Sequence, residues 1–201
     1  MRSMLTATAL ALCALTAFGA ENVVSFAPQL TVLLSIEEKV SDTALLELKS
    51  ELNTIMKDTG RKLNVRLRED SQPNESFEDL VLVKLKGSCT MQRTLPFMDE
   101  RGPLAWSHST DGAILPFAEV SCDRIARSVR AALWGGELRE ADRYLGRALG
   151  RVLAHELYHI LGKTHEHNAD GSIAKEALSA KQLISDKRIG FDVRDLGRML
   201  P

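Results

Sequence analysis

A short segment of the chain carries most of the side chains that can do chemistry. Four of the five histidines lie between residues 155 and 167, in the sequence HELYHILGKTHEH. Residues 155–165 have the spacing HExxHxxGxxH. If this stretch is helical, His155 and His159 lie one turn apart on the same face, so both imidazoles can reach one metal ion. The segment therefore predicts a metal site built on a helix.

Glu156 is next to the first of these histidines but is offset from their face of the helix. A carboxylate held near a metal-bound water can take a proton from it while the histidines hold the ion. Imidazole ligands with an open fourth position are typical of Zn²⁺ in hydrolytic sites. We therefore expect Glu156 to be a general base beside a bound Zn²⁺.

The third ligand of this site is His165 or His167. Gly162 permits the helix to end with a positive φ, after which the chain can turn back to the metal. His165 makes the tightest return, and we expect it to be the ligand. A return through His167 needs a longer helix or a wider loop. If both histidines bind, the site is closed by four protein ligands, as in structural zinc sites.

The apolar residues around the motif test whether the histidines belong to a solvated polar helix. At about 100° per residue, five apolar side chains fall on one side: Leu149, Leu153, Leu157, Ile160 and Leu161. His155 and His159 project from the opposite side. We therefore predict a helix that begins near Glu140 and has a core face and a separate histidine face. Tyr158 is expected to be packed or at the rim of the site.

The beginning of the chain predicts export. A basic residue at position 2 precedes an apolar run over residues 5–18, and Ala17 and Gly19 are small residues at positions that a signal peptidase reads. We expect residues 1–20 to be a signal peptide and residues 21–201 to be a single periplasmic or secreted domain. The apolar run is too short for a membrane span, and no later segment approaches about twenty apolar residues.

Cysteine use and charge narrow the expectations further. Loss of the signal would remove Cys13 and leave Cys89 and Cys122, an even pair that we expect to form a disulfide in an oxidising compartment. The formal net charge is −1, with 26% charged residues. A balance of this kind indicates no polyelectrolyte partner, so nucleic acid binding is not expected.

Patterns in the rest of the chain predict an α+β domain. Residues 23–26 and 30–35, separated by Pro28, are expected to form one broken strand or two short strands. Further strands are expected at residues 63–67, 80–85 and 114–120. Helices are expected from a cap at Ser41 to a stop at Gly60, and from Cys122 to a stop at residues 135–136. Pro116 cannot donate a ladder hydrogen bond, which predicts a sheet edge or a bulge in the last strand.

The order of these elements, together with the motif, resembles the metzincin group of zinc endopeptidases. In that group the edge strand of a mixed sheet lines the substrate cleft above the zinc helix, and extended peptides pair with it. The resemblance implies a zincin-like mixed β-sheet, a long active-site helix and a small C-terminal segment, with residues 106–119 as the cleft wall. Asp111 and Gly112 are equally typical of a surface hairpin turn in that segment.

Two observations depart from the metzincin pattern. Metzincins have a methionine turn beneath the metal, whereas the only methionine after His165 is Met199. A second resemblance, over most of residues 104–175, is to small exported bacterial proteins of unknown function with stretches similar to HSTDGAILPFAEVSCDR and HELYHILGKTHEHNADGSIAK. In those proteins the histidine that corresponds to His167 recurs. His108, outside the cluster, is expected to be a surface or satisfied residue and not a ligand.

Together these features predict a secreted zinc metalloendopeptidase. Glu156 would take the proton of a zinc-bound water as the water attacks a peptide carbonyl, and would then pass it to the leaving amine. The expected partner is a peptide or protein substrate, and the expected state is a monomer. The alternative is a non-catalytic exported binding protein with zinc as a structural staple. Such a site has no need of Glu156, so the glutamate favours catalysis.

Overall fold

A computed structural model describes residues 27–91, 102–134, 139–168 and 172–200. The predicted signal peptide, the strand at residues 23–26 and the helix stop at residues 135–136 lie outside these ranges. None of the helices within them combines the length and apolar composition that crossing a membrane requires.

The described chain contains both strands and helices, which confirms the α+β class. The strands are β1 (Gln29–Ile36), β2 (Lys39–Val40), β3 (Lys62–Leu67), β4 (Asp79–Lys86), β5 (Ser88–Cys89), β6 (Ala105–Thr110) and β7 (Ala113–Ser121). The helices are α1 (Asp42–Met56), α2 (Cys122–Ala132), α3 (Ala141–Gly162), α4 (Ala180–Ile184) and α5 (Val193–Met199). Ser41 caps α1 through the N–H of Ala44, and Gly60 adopts the left-handed conformation after a final 3₁₀ turn, as predicted.

Five strands form one mixed sheet in the order β3-β1-β4-β7-β6. The first four run parallel to one another, and β6 returns antiparallel to β7 at the edge of the sheet. β2 and β5 form a separate two-stranded pair. Parallel neighbours require crossover connections. α1 lies in the connection from β1 to β3, whereas α2 and α3 follow the last strand in the chain. The apolar core lies between the sheet and the helices α1, α2 and α3.

The strand that carries Pro116 is not at the edge of the sheet. β7 pairs with β4 over residues 117–121 and with β6 on its other side, so the edge prediction is wrong and the bulge prediction is confirmed. The register between β6 and β7 shifts between Ser107 and Ser109. Pro116 lies opposite this irregularity and before the pairing with β4 begins, where a missing N–H costs no ladder hydrogen bond.

The hairpin between β6 and β7 turns at Asp111 and Gly112. Both residues have positive φ, 50° and 79°, as a two-residue turn between twisted strands requires. The hairpin interpretation of this segment is therefore confirmed. β6 is the first strand of this hairpin and, within the described residues, the edge strand of the sheet. A cleft wall formed by a strand edge would therefore be limited to residues 105–110.

α3 lies at the centre of the helical layer and contacts α1, α2, α4, α5 and the hairpin strands. Four of the five residues on its predicted apolar face are buried and Leu161 is half-buried, but other faces of the helix are enclosed too. Arg151, for example, is 1% exposed, pairs with Glu51 of α1 and donates to the carbonyl of Lys187. A single apolar stripe does not predict this, because the arginine becomes buried only through partners from distant segments.

Two glycines let α1 and α3 approach each other closely. A Cβ atom on Gly146 would lie 2.3 Å from the carbonyl oxygen of Ala44, which is backbone and cannot rotate away. We therefore expect Gly146→Ala to lower the free energy of unfolding by about 1–3 kcal/mol. Gly197→Ala in α5 is the control, since its Cβ would meet nothing within 4 Å. Urea unfolding compares the two, and equal stability of both variants would contradict the close contact.

The two cysteines left after the predicted signal lie at disulfide distance. Cys89 and Cys122 are bonded, with Cα atoms 4.8 Å apart, and both are buried. The bond connects β5 to the first residue of α2, at one end of the core. This pair is compatible with an oxidising compartment, while export itself stays a prediction.

Candidate metal centre

α3 brings two imidazoles together on one helical turn. The helix is continuous through both histidines, and the Nε2 atoms of His155 and His159 lie 3.0 Å apart. His159 is buried and His155 is half-buried. The predicted placement of these two side chains is therefore confirmed.

His167 completes a group of three imidazoles. One ring nitrogen from each of His155, His159 and His167 lies within 4.8 Å of the others. The His167 ring stacks on His155 with centroids 5.2 Å apart and meets His159 edge-on at 4.8 Å. His165 is exposed, and neither it nor His108 on β6 belongs to this group in the described residues. The expectation that His165 is the third ligand thus differs from the structure, which brings His167 to the group.

The way in which the chain leaves α3 explains this difference. The predicted positive φ at Gly162 is wrong: Gly162 is the last helical residue, and Lys163 is the left-handed C-cap with φ of 46°. The return to the histidines therefore starts one residue later than expected. The carbonyl of Thr164 then accepts a hydrogen bond from Nδ1 of His159 at 2.7 Å. This contact holds the chain beside the His159 ring, and the next imidazole that reaches the group is His167.

Backbone carbonyls determine which ring nitrogens carry protons. Nδ1 of His155 lies 2.9 Å from the carbonyl oxygen of Ile173, and Nδ1 of His159 makes the Thr164 contact. A carbonyl oxygen only accepts, so each Nδ1 must donate. In a neutral ring the Nε2 atom then has no proton. Two Nε2 lone pairs consequently face each other at 3.0 Å, which is unfavourable unless a cation lies between them.

Both rings are neutral at neutral pH. Burial is the main reason that the pKa of His155 is lowered and that the pKa of His159 is lowered to about 4; the neighbouring His155 adds to the second shift. Protonated imidazole cannot bind a metal, so this environment keeps the histidines in the ligating form.

The geometry of the group suits a metal ion such as Zn²⁺. Two nitrogens bound to one tetrahedral zinc lie about 3.3 Å apart, given bonds of about 2.05 Å, and the observed Nε2 separation is 3.0 Å. A hydrogen bond from the second ring nitrogen to a carbonyl is also the arrangement that metal-bound histidines make. The three imidazoles can therefore hold a metal ion.

Glu156 is buried beside the imidazoles, with 4% of its surface exposed, and is not part of the group. Its carboxylate accepts hydrogen bonds from the hydroxyl and the backbone N–H of Ser107 on β6. Burial raises the pKa of Glu156 to about 7, against the opposing effect of the Ser107 hydrogen bonds. The carboxyl group is thus close to a balance between its two protonation states at neutral pH.

Ser107 also belongs to the candidate site, although no motif in the sequence singles it out. It follows buried Ala105 at a spacing of two along β6, so both side chains belong to the inner face of the strand. The sequence pattern that could have indicated its role is a polar residue, Ser107, at a strand position that faces inwards. Without knowing that β6 lies over α3, the partner of that residue was not predictable.

A cavity of about 250 Å³ lies against Glu156 and His155. One wall is the start of β6 with the residues before it, and the other is the segment at residues 175–178. Val152 of α3 contributes to the floor. The group of three imidazoles therefore has an accessible side next to Glu156, with room for part of a bound molecule.

The C-terminal segment packs against α3 next to the histidines. Tyr158 is fully buried and forms a small cluster with Ala174 and Met199, and its ring stacks on Phe191 at 6.2 Å. The tyrosine is packed, which was one of its two predicted positions. Met199 is thus buried against the residue that precedes His159 in the chain.

Comparisons with known proteins do not assign this chain to a family. No model of a known protein family matches it, and a search of curated proteins finds no match.

Proposed function

We propose that the protein is a zinc-dependent peptidase in which Glu156 acts as the general base. The observation that carries this proposal is the pair of unprotonated Nε2 atoms of His155 and His159, which converge with His167 beside a buried carboxylate that is not part of the group. Metal binding by the three histidines does not need such a carboxylate, whereas hydrolysis needs a general base beside the metal.

The histidines would hold the ion, and Glu156 would move the proton. When bound, zinc acts as a Lewis acid and lowers the pKa of a coordinated water to about 7. Glu156 then accepts the proton of the attacking water on its carboxylate and delivers it to the nitrogen of the leaving amine. The hydroxyl and the backbone N–H of Ser107 stabilise the charged form of this carboxylate, the form that can accept the proton.

The position of β6 favours a peptide as the substrate. Within the described residues it is the edge strand of the sheet, and its Ser107 lies next to Glu156. An extended peptide that added to this edge by backbone hydrogen bonds would pass next to the carboxylate. This arrangement supports cleavage within an extended chain more than hydrolysis of a compact small molecule.

The accessible side of the group argues against a purely structural metal. Structural zinc sites are closed by four protein ligands, whereas catalytic sites have three and an open position. In the described residues the group has three histidines, and a cavity lies next to two members of the site, His155 and Glu156. The alternative of a binding protein with a zinc staple is therefore less well supported.

Metal removal and return test the proposal. We expect purified protein to contain about one zinc ion per chain and to hydrolyse a reduced, alkylated protein substrate. A chelator should abolish the hydrolysis, and one equivalent of zinc should restore it. Elemental analysis and gel assays measure both properties. Zinc below about a tenth of an equivalent after reconstitution would reject the metal site, and hydrolysis that a chelator leaves unchanged would reject the metal mechanism.

A further inference from the structure

His167 lies on a loop that is hydrogen-bonded to the segment at residues 173–174, and this segment also contacts the ring of His155. His167 is exposed, so packing alone does little to hold its ring. The next residue, Asn168, donates its backbone N–H to the carbonyl of Ala174 at 3.1 Å. Residue 174 directly follows Ile173, whose carbonyl accepts from Nδ1 of His155. The positions of two metal ligands therefore depend on how the loop and this segment are fixed to the rest of the protein.

One buried carboxylate accepts hydrogen bonds from the loop and from the segment next to Ile173. Asp195 of α5 is 0% exposed. One of its oxygens accepts from the side-chain amide of Asn168, and the other accepts from the hydroxyl of Ser172. That hydroxyl in turn accepts from the N–H of Ala174 at 3.0 Å. Asp195 thus joins the residue after His167 to the residues on either side of Ile173.

The carboxylate is itself held rigidly by the start of α5. Its second oxygen also accepts from the backbone N–H of Asp192 at 2.9 Å, as part of a reciprocal capping box. Hydrogen bonds to a buried charged acceptor are stronger than ordinary ones, and loss of the acceptor leaves several buried donors without a partner. The connection through Asp195 is therefore both tight and costly to break.

A second contact from the same helix contributes less. Arg198 donates to the hydroxyl of Thr164 at 3.1 Å and to Glu166 at 2.7 Å. The side chains of Arg198 and Glu166 are 41% and 71% exposed, and exposed ion pairs of this kind stabilise little because water screens them. Among the contacts between α5 and the loop, the buried one at Asp195 should dominate.

We propose that Asp195 is a positioning residue of the metal centre, which sets the affinity for zinc by holding His167 and the Ile173 carbonyl in place. The proposal rests on the metal binding put forward above. Asp195 itself touches none of the three imidazoles in the hydrogen bonds that define the site. It acts by orienting the ligands and does not bind the metal. Loss of such an orienting residue typically weakens metal binding by about 10- to 100-fold.

The test is zinc affinity measured by competition with a chromophoric chelator on the full-length protein. Asp195→Asn keeps the size of the side chain but turns an N–H group towards donors that need an acceptor. We expect it to raise the dissociation constant for zinc by about tenfold or more. Asn168→Ala removes only the contact next to His167, and we expect it to weaken binding in the same direction. Should Asp195→Asn fail to fold, Asn168→Ala and Ser172→Ala provide the decision.

A coupling measurement separates positioning from a general loss of stability. In a His167→Ala background, Asn168→Ala should cause no further loss of zinc affinity, because the ligand it positions is gone. Ser41→Ala, which removes the cap of α1 far along the chain from the loop, should lower stability and leave the affinity unchanged.

Three results would count against the proposal. Zinc affinity of Asp195→Asn within about twofold of wild type would overturn it, as would an equal loss in Ser41→Ala or a full additional loss from Asn168→Ala in the His167→Ala background. Absence of zinc binding by the wild type would instead overturn the proposed metal centre, and the role of Asp195 with it.

Discussion

Glu156→Gln is expected to reduce peptide hydrolysis by about 10²- to 10⁴-fold, the contribution of a positioned general base. The amide has nearly the same shape as the carboxylate but cannot take a proton from water at neutral pH. The glutamate lies outside the group of converging ring nitrogens, so zinc content should stay near one equivalent. Turnover of an alkylated protein substrate and elemental analysis of the same sample measure the two effects separately.

The cavity provides a matched control for that substitution. Glu176 lines the same cavity but is exposed, so Glu176→Gln makes the same chemical change without removing the proposed base. We expect its turnover to stay within a few-fold of wild type, since exposed polar substitutions seldom have large effects. Equal turnover of Glu156→Gln and wild type would refute the role of Glu156. Absence of turnover by the zinc-loaded wild type would leave the structural zinc staple as the better interpretation.

His167→Ala is expected to weaken zinc binding by at least about tenfold, whereas His165→Ala should leave it within about twofold of wild type. His167 contributes one of the three converging nitrogens, and His165 contributes none. Both side chains are exposed, so neither change should create a core cavity. Competition with a chelator measures the affinities, and thermal denaturation of the metal-free proteins checks that the fold is equally stable in both.

The pattern of the two variants distinguishes three kinds of site. A large loss from His167→Ala alone agrees with the open three-histidine group. A large loss from His165→Ala alone would support the metzincin spacing and would contradict the proposed ligand. Large losses from both would indicate a closed site with four protein ligands, which is typical of structural zinc.

Much of the site was predictable from the sequence because it depends on local periodicity. His155 and His159 are four residues apart in a long helix, so any α-helical backbone places them on one side. Glu156 is the next residue after His155, and one residue of α-helix turns its side chain about 100° away from the face that carries the histidines. The cap at Ser41 and the turn at Asp111 were likewise predictable, since side-chain and φ preferences act within a few residues.

The remaining contributors depend on contacts between segments far apart in the chain. Ser107 meets Glu156 only because the sheet places β6 at its edge beside α3. The buried arginine Arg151 is tolerated because α1 supplies Glu51 and a later segment supplies the backbone carbonyls of Gln182 and Lys187. No periodicity within one segment contains this information, because burial and pairing are properties of the assembled layers.

The choice of third ligand shows most clearly where the sequence stops being sufficient. A motif spacing predicts His165 if the left-handed turn falls at Gly162, but the turn falls at Lys163. A difference of one residue in a helix end lies within what local preferences leave open. The outcome is decided by tertiary contacts, since α5 holds the loop through Asp195 and the Thr164 carbonyl meets His159. The helix and the convergence of His155 and His159 are therefore local properties of the sequence, whereas the approach of His167 to them is a property of the folded chain.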